Sequence, residues 1–253
     1  MKCPWCGREM RKGRLGEEAS FWRPETGRQD DCVPLSWERQ GRAGSVGWYC
    51  PFCLRVVAEA AKPALITAFG DSNTRYWLSA TQEPGPPEQA WPALVEKALR
   101  AEGRRVRVVN EGWPGGETSF AKAQFERRTL GAGGVILAFG TNDIKRPEAT
   151  AEAYRAALEG ILKRNGHRPM LVLSILWFDR GYGFLGSQDR LAVWNGIARE
   201  LCEAYGAPFW DTGPWFERQL QYYGDCPAHH LNAAGQERMA QAVLEGLRAH
   251  HFV

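Results

Sequence analysis

From Ala64 onward the chain alternates short apolar runs with helix-length amphipathic stretches, and few folds accept that rhythm. The runs are Leu65–Phe69, Val106–Val109, Val135–Phe139, Met170–Ile175 and Pro208–Trp210. Between and after them lie Ala90–Glu102, Phe120–Leu130, Ala149–Asn165, Gln188–Tyr205 and Ala233–His250, which read as amphipathic helices. Strand-length runs separated by helix-length runs read as repeated βαβ units, hence a parallel sheet with helices on both faces. The expected fold class is therefore α/β: a three-layer, doubly wound sheet of five parallel strands with flavodoxin-like topology.

Composition changes near residue 60. Residues 1–60 hold four of the eleven Trp and five of the seven Cys, and they show no long apolar period. A small β-rich domain over 1–60 and an α/β domain over 63–253 are expected. At 253 residues, 44% hydrophobic and 24% charged, the chain has ample material for a core. A net charge of +3 is only mildly basic, and no Lys/Arg block stands out, so nucleic acid is not an expected partner. No window approaches the ~18 apolar residues of a membrane span. The opening MKCPWCGREM does not resemble a secretory signal, which predicts a cytoplasmic protein with reduced thiols.

In an open α/β sheet, ligands bind beyond the carboxyl ends of the strands, so residues that do chemistry should follow the apolar runs. Gly70-Asp71-Ser72-Asn73 follows the first run, Asn110-Glu111-Gly112 the second, and Gly140-Thr141-Asn142-Asp143 the third. A serine just past a strand and beside glycine can sit on a tight turn with its hydroxyl presented, although Asp and Ser there are also ordinary helix caps. Asn142 could donate its side-chain amide to an oxyanion, and the Gly-rich turn Asn110–Thr118 could add a backbone N–H. Near the C-terminus, His229 and His230 precede the last helix. A base there could reach a serine at the sheet edge; a solvated or capping pair with Asn232 as N-cap is the plainer alternative.

The blocks GDSN, N-x-G-x-x-G, GTND and HLNAAG, in this order and at these separations, resemble the four signature blocks of the SGNH (GDSL-like) hydrolase family. The resemblance spans about residues 64–250. It implies Ser72 as nucleophile and oxyanion donor through its N–H, Gly115 as the second N–H donor, Asn142 as the third donor through its side chain, and His230 as general base. It further implies a step that needs no metal or cofactor and a small-molecule ester as substrate. Two departures stand out. The family histidine usually follows an Asp by three residues, but Pro227 holds that place here, and the nearest acid is Asp225. Either the loop bulges so that Asp225 still orients the histidine, or His229 is the base, or the site works as a dyad. The doubled Gly115-Gly116 leaves open which N–H points inward, with Gly115 favoured.

In the first region, Cys3-Pro-Trp-Cys6 and Cys50-Pro-Phe-Cys53 share one pattern and have the knuckle form of zinc ribbons. Two such knuckles supply four thiolates to one tetrahedral ion, so a structural zinc held by Cys3, Cys6, Cys50 and Cys53 is expected. Four thiolates leave no open position, so a catalytic role for that ion is not expected. Such a module is a candidate surface for a protein partner or for self-association. The functional expectation is a serine esterase acting on acyl, including acetyl, esters of carbohydrates or small molecules. The competing reading is an SGNH-fold adaptor with impaired catalysis, whose zinc ribbon binds a partner; the displaced acid and the presence of the ribbon motivate it.

Overall fold

The computed structural model of the chain describes residues 8–15, 21–24, 33–34, 46–51, 55–58, 65–166, 168–181, 183–184, 186–225, 227–250 and 252. The chain divides into two compact units, Met1–Lys62 and Pro63–Val253. In the first, β1 (Arg11–Leu15), β2 (Phe21–Pro24), β3 (Val33–Pro34), β4 (Val46–Cys50) and β5 (Arg55–Ala58) form one antiparallel sheet in the order β3-β2-β1-β4-β5. Cys50 closes β4, where its backbone pairs with Arg55. Cys3, Cys6 and Cys53, the other three expected zinc ligands, lie outside the described residues.

The second unit follows the alternation read from the sequence. Its strands are β6 (Leu65–Gly70), then β9 (Arg107–Gly112), β10 (Gly134–Ala138), β11 (Met170–Leu173) and β12 (Phe209–Trp210). A short hairpin of β7 (Trp77–Leu78) and β8 (Glu83–Pro84) stands apart from this sheet. The five strands run parallel in the order β12-β11-β10-β6-β9. The first crossover moves to one side of β6 and all later ones to the other, which is the flavodoxin-like arrangement. Loops leaving β6 and β10 therefore diverge and open a crevice at the carboxyl edge.

Period-two alternation sends each strand's side chains to opposite faces. Ile66, Ala68, Ile136, Leu171 and Leu173 pack with Trp91, Val95 and Leu99 of α2 (Trp91–Ala101) and with Met239, Val243 and Leu247 of the C-terminal helix. Phe69, Val135, Leu137 and Val172 face the other core, with Phe125 of α3 (Thr118–Arg128), Tyr154 and Ile161 of α5 (Ala151–Asn165), and Trp194 and Ile197 of α6 (Arg190–Tyr205). The remaining helices are α1 (Ser72–Arg75), α4 (Thr141–Ile144), α7 (Gly213–Phe216) and the C-terminal α8 (Ala233–Ala249). Cys202 of α6 is buried and unpaired, and burial pushes its thiol up to about 12, so it is an inert packing residue. Cys226 lies outside the described residues. No described helix is long and apolar enough to cross a membrane.

Candidate active site

Ser72 is the first residue of α1, directly beyond the end of β6. Gly70 makes the turn possible: a Cβ there would stand 2.0 Å from Thr74 Oγ1 and 2.8 Å from the Ala138 carbonyl oxygen. The chain can therefore leave the sheet tightly enough to present Ser72 at the edge. Asp71 caps α1, its Oδ1 accepting from the Asn73 N–H at 2.9 Å. Burial raises the Asp71 carboxyl to about 6, against the hydrogen bonds it receives from the Asn73 backbone and the Thr141 side chain.

The histidines arrive on a closed loop. Tyr223 and Leu231 form an antiparallel bridge, and the Gly224 N–H donates to the His230 carbonyl at 2.9 Å. Inside that loop, Asp225 Oδ1 accepts from the backbone N–H groups of His229 and His230 at 2.9 and 3.0 Å. These bonds fold the segment so that Asp225 Oδ2 lies 3.0 Å from His230 Nδ1, while His230 Nε2 lies 2.9 Å from Ser72 Oγ. Of the three arrangements left open by the sequence, the loop adopts the one in which Asp225 reaches His230. His229 points its Nδ1 to Asp225 Oδ2 and the Pro227 carbonyl, each at 3.0 Å, and its ring lies 4.0 Å from that of His230. Asn232 is also the N-cap of α8, accepting from the Gly235 N–H at 2.9 Å. The capping role and the approach of His230 to Ser72 thus coexist.

Electrostatics suit the two partners to different protonation states. Burial is the largest influence on His230 and takes its pKa below 6.5; the Asp225 hydrogen bond opposes this, and His229 and Lys145 add to the lowering. Burial alone would raise Asp225. Hydrogen bonds from His229, His230, Ser79 and the His229 backbone outweigh it and hold the carboxyl well below the usual carboxylate range. A neutral imidazole thus sits between a hydroxyl and a carboxylate. The atoms of Asp225, His229 and His230 that could ligate a metal also lie within 4.8 Å of one another.

The other expected oxyanion donors follow the ends of β9 and β10, the strands on either side of β6. Trp113-Pro114-Gly115-Gly116 is a tight turn closed by the Gly116 N–H on the Trp113 carbonyl at 2.9 Å, with Pro114 second and Gly115 third at φ +73°. That is the pattern of a type II turn. Gly116 spends its N–H within the turn, whereas the Gly115 N–H stays outside that closing bond. Asn142, on α4 beyond β10, donates from Nδ2 to the Gly116 carbonyl at 2.9 Å, tying the β10 edge to the turn.

The family model of the GDSL-like lipases/acylhydrolases matches residues 68–238. The chain belongs to this family. Membership makes it a carboxylic ester hydrolase by class. No curated protein sequence matches it. Among solved structures, the lipase/acylhydrolase from Enterococcus faecalis aligns with a TM-score of 0.63 at 22% identity, covering 74% of this chain and 96% of that one. LAE5, an alpha/beta hydrolase enzyme from the metagenome of Lake Arreo, aligns at 0.60 with 24% identity, covering 72% and 94%. Axe2, an acetylxylan esterase from Geobacillus stearothermophilus, aligns at 0.60 with 19% identity, covering 72% and 93%. At such identities the likeness is one of fold.

Three residues of this GDSL-like acylhydrolase escaped the sequence reading. Asn73 donates from Nδ2 to the His229 carbonyl at 3.0 Å and accepts from the Leu231 N–H at 2.9 Å, clamping the histidine loop to the serine helix. Its place in the GDSN block was the available signal. Asp143 accepts from the Thr118 N–H and hydroxyl and so caps α3 from a neighbouring element. Ser79 touches both Asp225 and His230, and nothing in its local sequence marks it. Of the aromatics that follow β11, Phe178 is fully buried core and Trp177 is partly buried against Tyr223, while Tyr182 lies outside the described residues.

Proposed function

We propose that the protein is a serine esterase that cleaves acyl esters through an acyl-serine intermediate. The observation that carries this reading is the continuous hydrogen-bonded chain from Ser72 Oγ through His230 to Asp225. Ser72 Oγ attacks the ester carbonyl as His230 Nε2 takes its proton. Asp225, kept ionised, holds the Nδ1–H tautomer and stabilises the imidazolium without taking the proton itself. The N–H groups of Ser72 and Gly115 and the Asn142 amide receive the charge on the tetrahedral oxygen. Collapse breaks the C–O bond, and the imidazolium proton goes to the departing alkoxide. Water, deprotonated by His230, then attacks the acyl-serine, and its collapse releases the carboxylic acid and restores Ser72.

The substrates proposed are acetyl or other short acyl esters of carbohydrates or small molecules. The fold shared with an acetylxylan esterase supports the acetyl end of that range. Cys3, Cys6, Cys50 and Cys53 are proposed to hold a structural zinc, on the strength of the repeated Cys-Pro-aromatic-Cys pattern. The first unit is proposed as a surface for a protein partner or for self-association, within a cytoplasmic protein. The adaptor reading drew on the displaced acid and on the ribbon, and Asp225 lying against His230 weighs against the first of these.

Hydrolysis of p-nitrophenyl esters of graded acyl length by wild type and Ser72→Ala tests this reading. Wild type turns over the short-chain esters and Ser72→Ala does not. Equal rates for the two proteins at every chain length would refute it.

A further inference from the structure

The family's usual acid stands three residues before the histidine, whereas Asp225 stands five before His230. The direct link between them is 3.0 Å. A shorter route runs through a third side chain. Ser79 Oγ lies 2.5 Å from His230 Nδ1 and donates to Asp225 Oδ2 at 2.6 Å. A hydroxyl is one donor and two acceptor positions, so it can accept from an Nδ1–H while donating to a carboxylate. That assignment is the one consistent with a base whose Nε2 is free of its proton and faces Ser72.

Ser79 is held for this contact. It follows β7 at the start of the turn to β8. Gln82 closes the turn twice, with its N–H on the Leu78 carbonyl at 2.9 Å and its side-chain amide on the Ser79 carbonyl at 2.7 Å. Gln82 itself adopts φ +57°, a conformation that non-glycine residues take only where surrounding structure imposes it. On the other side, Asp225 is fixed by two backbone N–H groups on its second oxygen. The hydroxyl and the carboxylate are therefore each placed by bonds of their own, and the imidazole is the partner they orient.

We propose that Ser79 is a positioning residue of the hydrolytic site, its hydroxyl bridging His230 Nδ1 and Asp225 Oδ2. This rests on His230 being the general base. The bridge fixes the imidazole's tautomer and rotation, which the displaced acid holds by a single longer bond. It acts on the base and not on bound substrate, so its loss lowers kcat and leaves KM in place.

The test uses the full chain with Ser79 replaced by Ala, Val and Thr, each checked for native circular dichroism. Thr keeps the hydroxyl, and Val has the shape of Thr without it. With p-nitrophenyl acetate, Ser79→Ala and Ser79→Val are expected to lose roughly five- to fiftyfold in kcat with KM within about twofold, and Ser79→Thr to keep most activity. A readout without substrate accompanies it: the downfield proton resonance of His230 Nδ1–H, assigned by its loss in His230→Gln. It moves in the Ala and Val variants and stays in Thr. Wild-type kcat in Ser79→Ala, or a Thr variant as impaired as Val, overturns the bridge even while Ser72-dependent turnover stands. A wild type inert toward esters whose resonance shifts in Ala and Val but not in Thr upholds the bridge and removes the esterase reading instead.

Discussion

The Asp225 carboxylate meets the His230 imidazole at 3.0 Å although the two stand five positions apart, with Pro227 between them. One carboxylate oxygen makes the loop and the other orients the ring: Oδ1 takes two backbone N–H groups, and Oδ2 faces Nδ1. An acid that shapes its own loop need not stand at a fixed distance along the chain.

Replacing Asp225 separates those two duties. Asp225→Asn keeps an acceptor for the backbone but disturbs the tautomer, so kcat is expected to fall about a hundredfold to ten-thousandfold with little loss of stability. Asp225→Ala loses the loop bonds as well and should also lower the melting temperature. Steady-state kinetics with thermal denaturation of both variants checks this; equal melting losses would show that Asp225 does not hold the loop.

The two histidines should differ sharply. His230→Ala removes the group 2.9 Å from Ser72 Oγ and is expected to cost at least about a thousandfold in kcat. His229 turns its Nδ1 to Asp225 and the Pro227 carbonyl, while the ring nitrogen 2.9 Å from Ser72 Oγ belongs to His230, so His229→Ala should stay within about tenfold. Reversed sensitivities in kcat would assign the base to His229.

The acid limb of the pH profile reports the base. His230 acts when neutral, and burial takes its pKa below 6.5, so kcat/KM should fall only as pH drops through a midpoint under that value. Activity is retained in mildly acidic buffer. A midpoint at or above 6.5 in the pH dependence of kcat/KM contradicts the burial of a neutral imidazole.

A buried carboxylate away from the reacting atoms gives a stability signature of opposite kind. Asp143 is raised by burial from 3.8 to about 6, so the folded state holds its proton more tightly than the unfolded chain does. Its favourable contribution is complete below pH 3.8 and lost as pH rises through about 6. Asp143→Asn escapes that loss. Its stability relative to wild type should improve from pH 5 to pH 7, by an amount on the order of 1 kcal/mol. Chemical denaturation at the two pH values measures it, and a constant difference would contradict the shift.

Much of the fold was legible because burial on both faces leaves parallel strands as continuous apolar runs, as in Leu65–Phe69 and Met170–Ile175. The serine and Asn142 were legible because strand ends are where such sheets present chemistry, and the histidine pair from its place before the last helix. What stayed hidden came from contacts between distant segments. The offset of Asp225 is resolved by its own backbone hydrogen bonds, Asn73 acts across 158 residues, and Ser79 across 151. Periodicity and local motif carry no record of such contacts.

The central claim is a covalent intermediate on Ser72, and mass spectrometry of protein quenched during turnover of p-nitrophenyl acetate tests it most directly. The expected result is a mass gain of one acetyl group, mapped to the peptide carrying Ser72 and missing in Ser72→Ala. Turnover with no acylated species on that peptide, matched by an equally active Ser72→Ala protein, would contradict it.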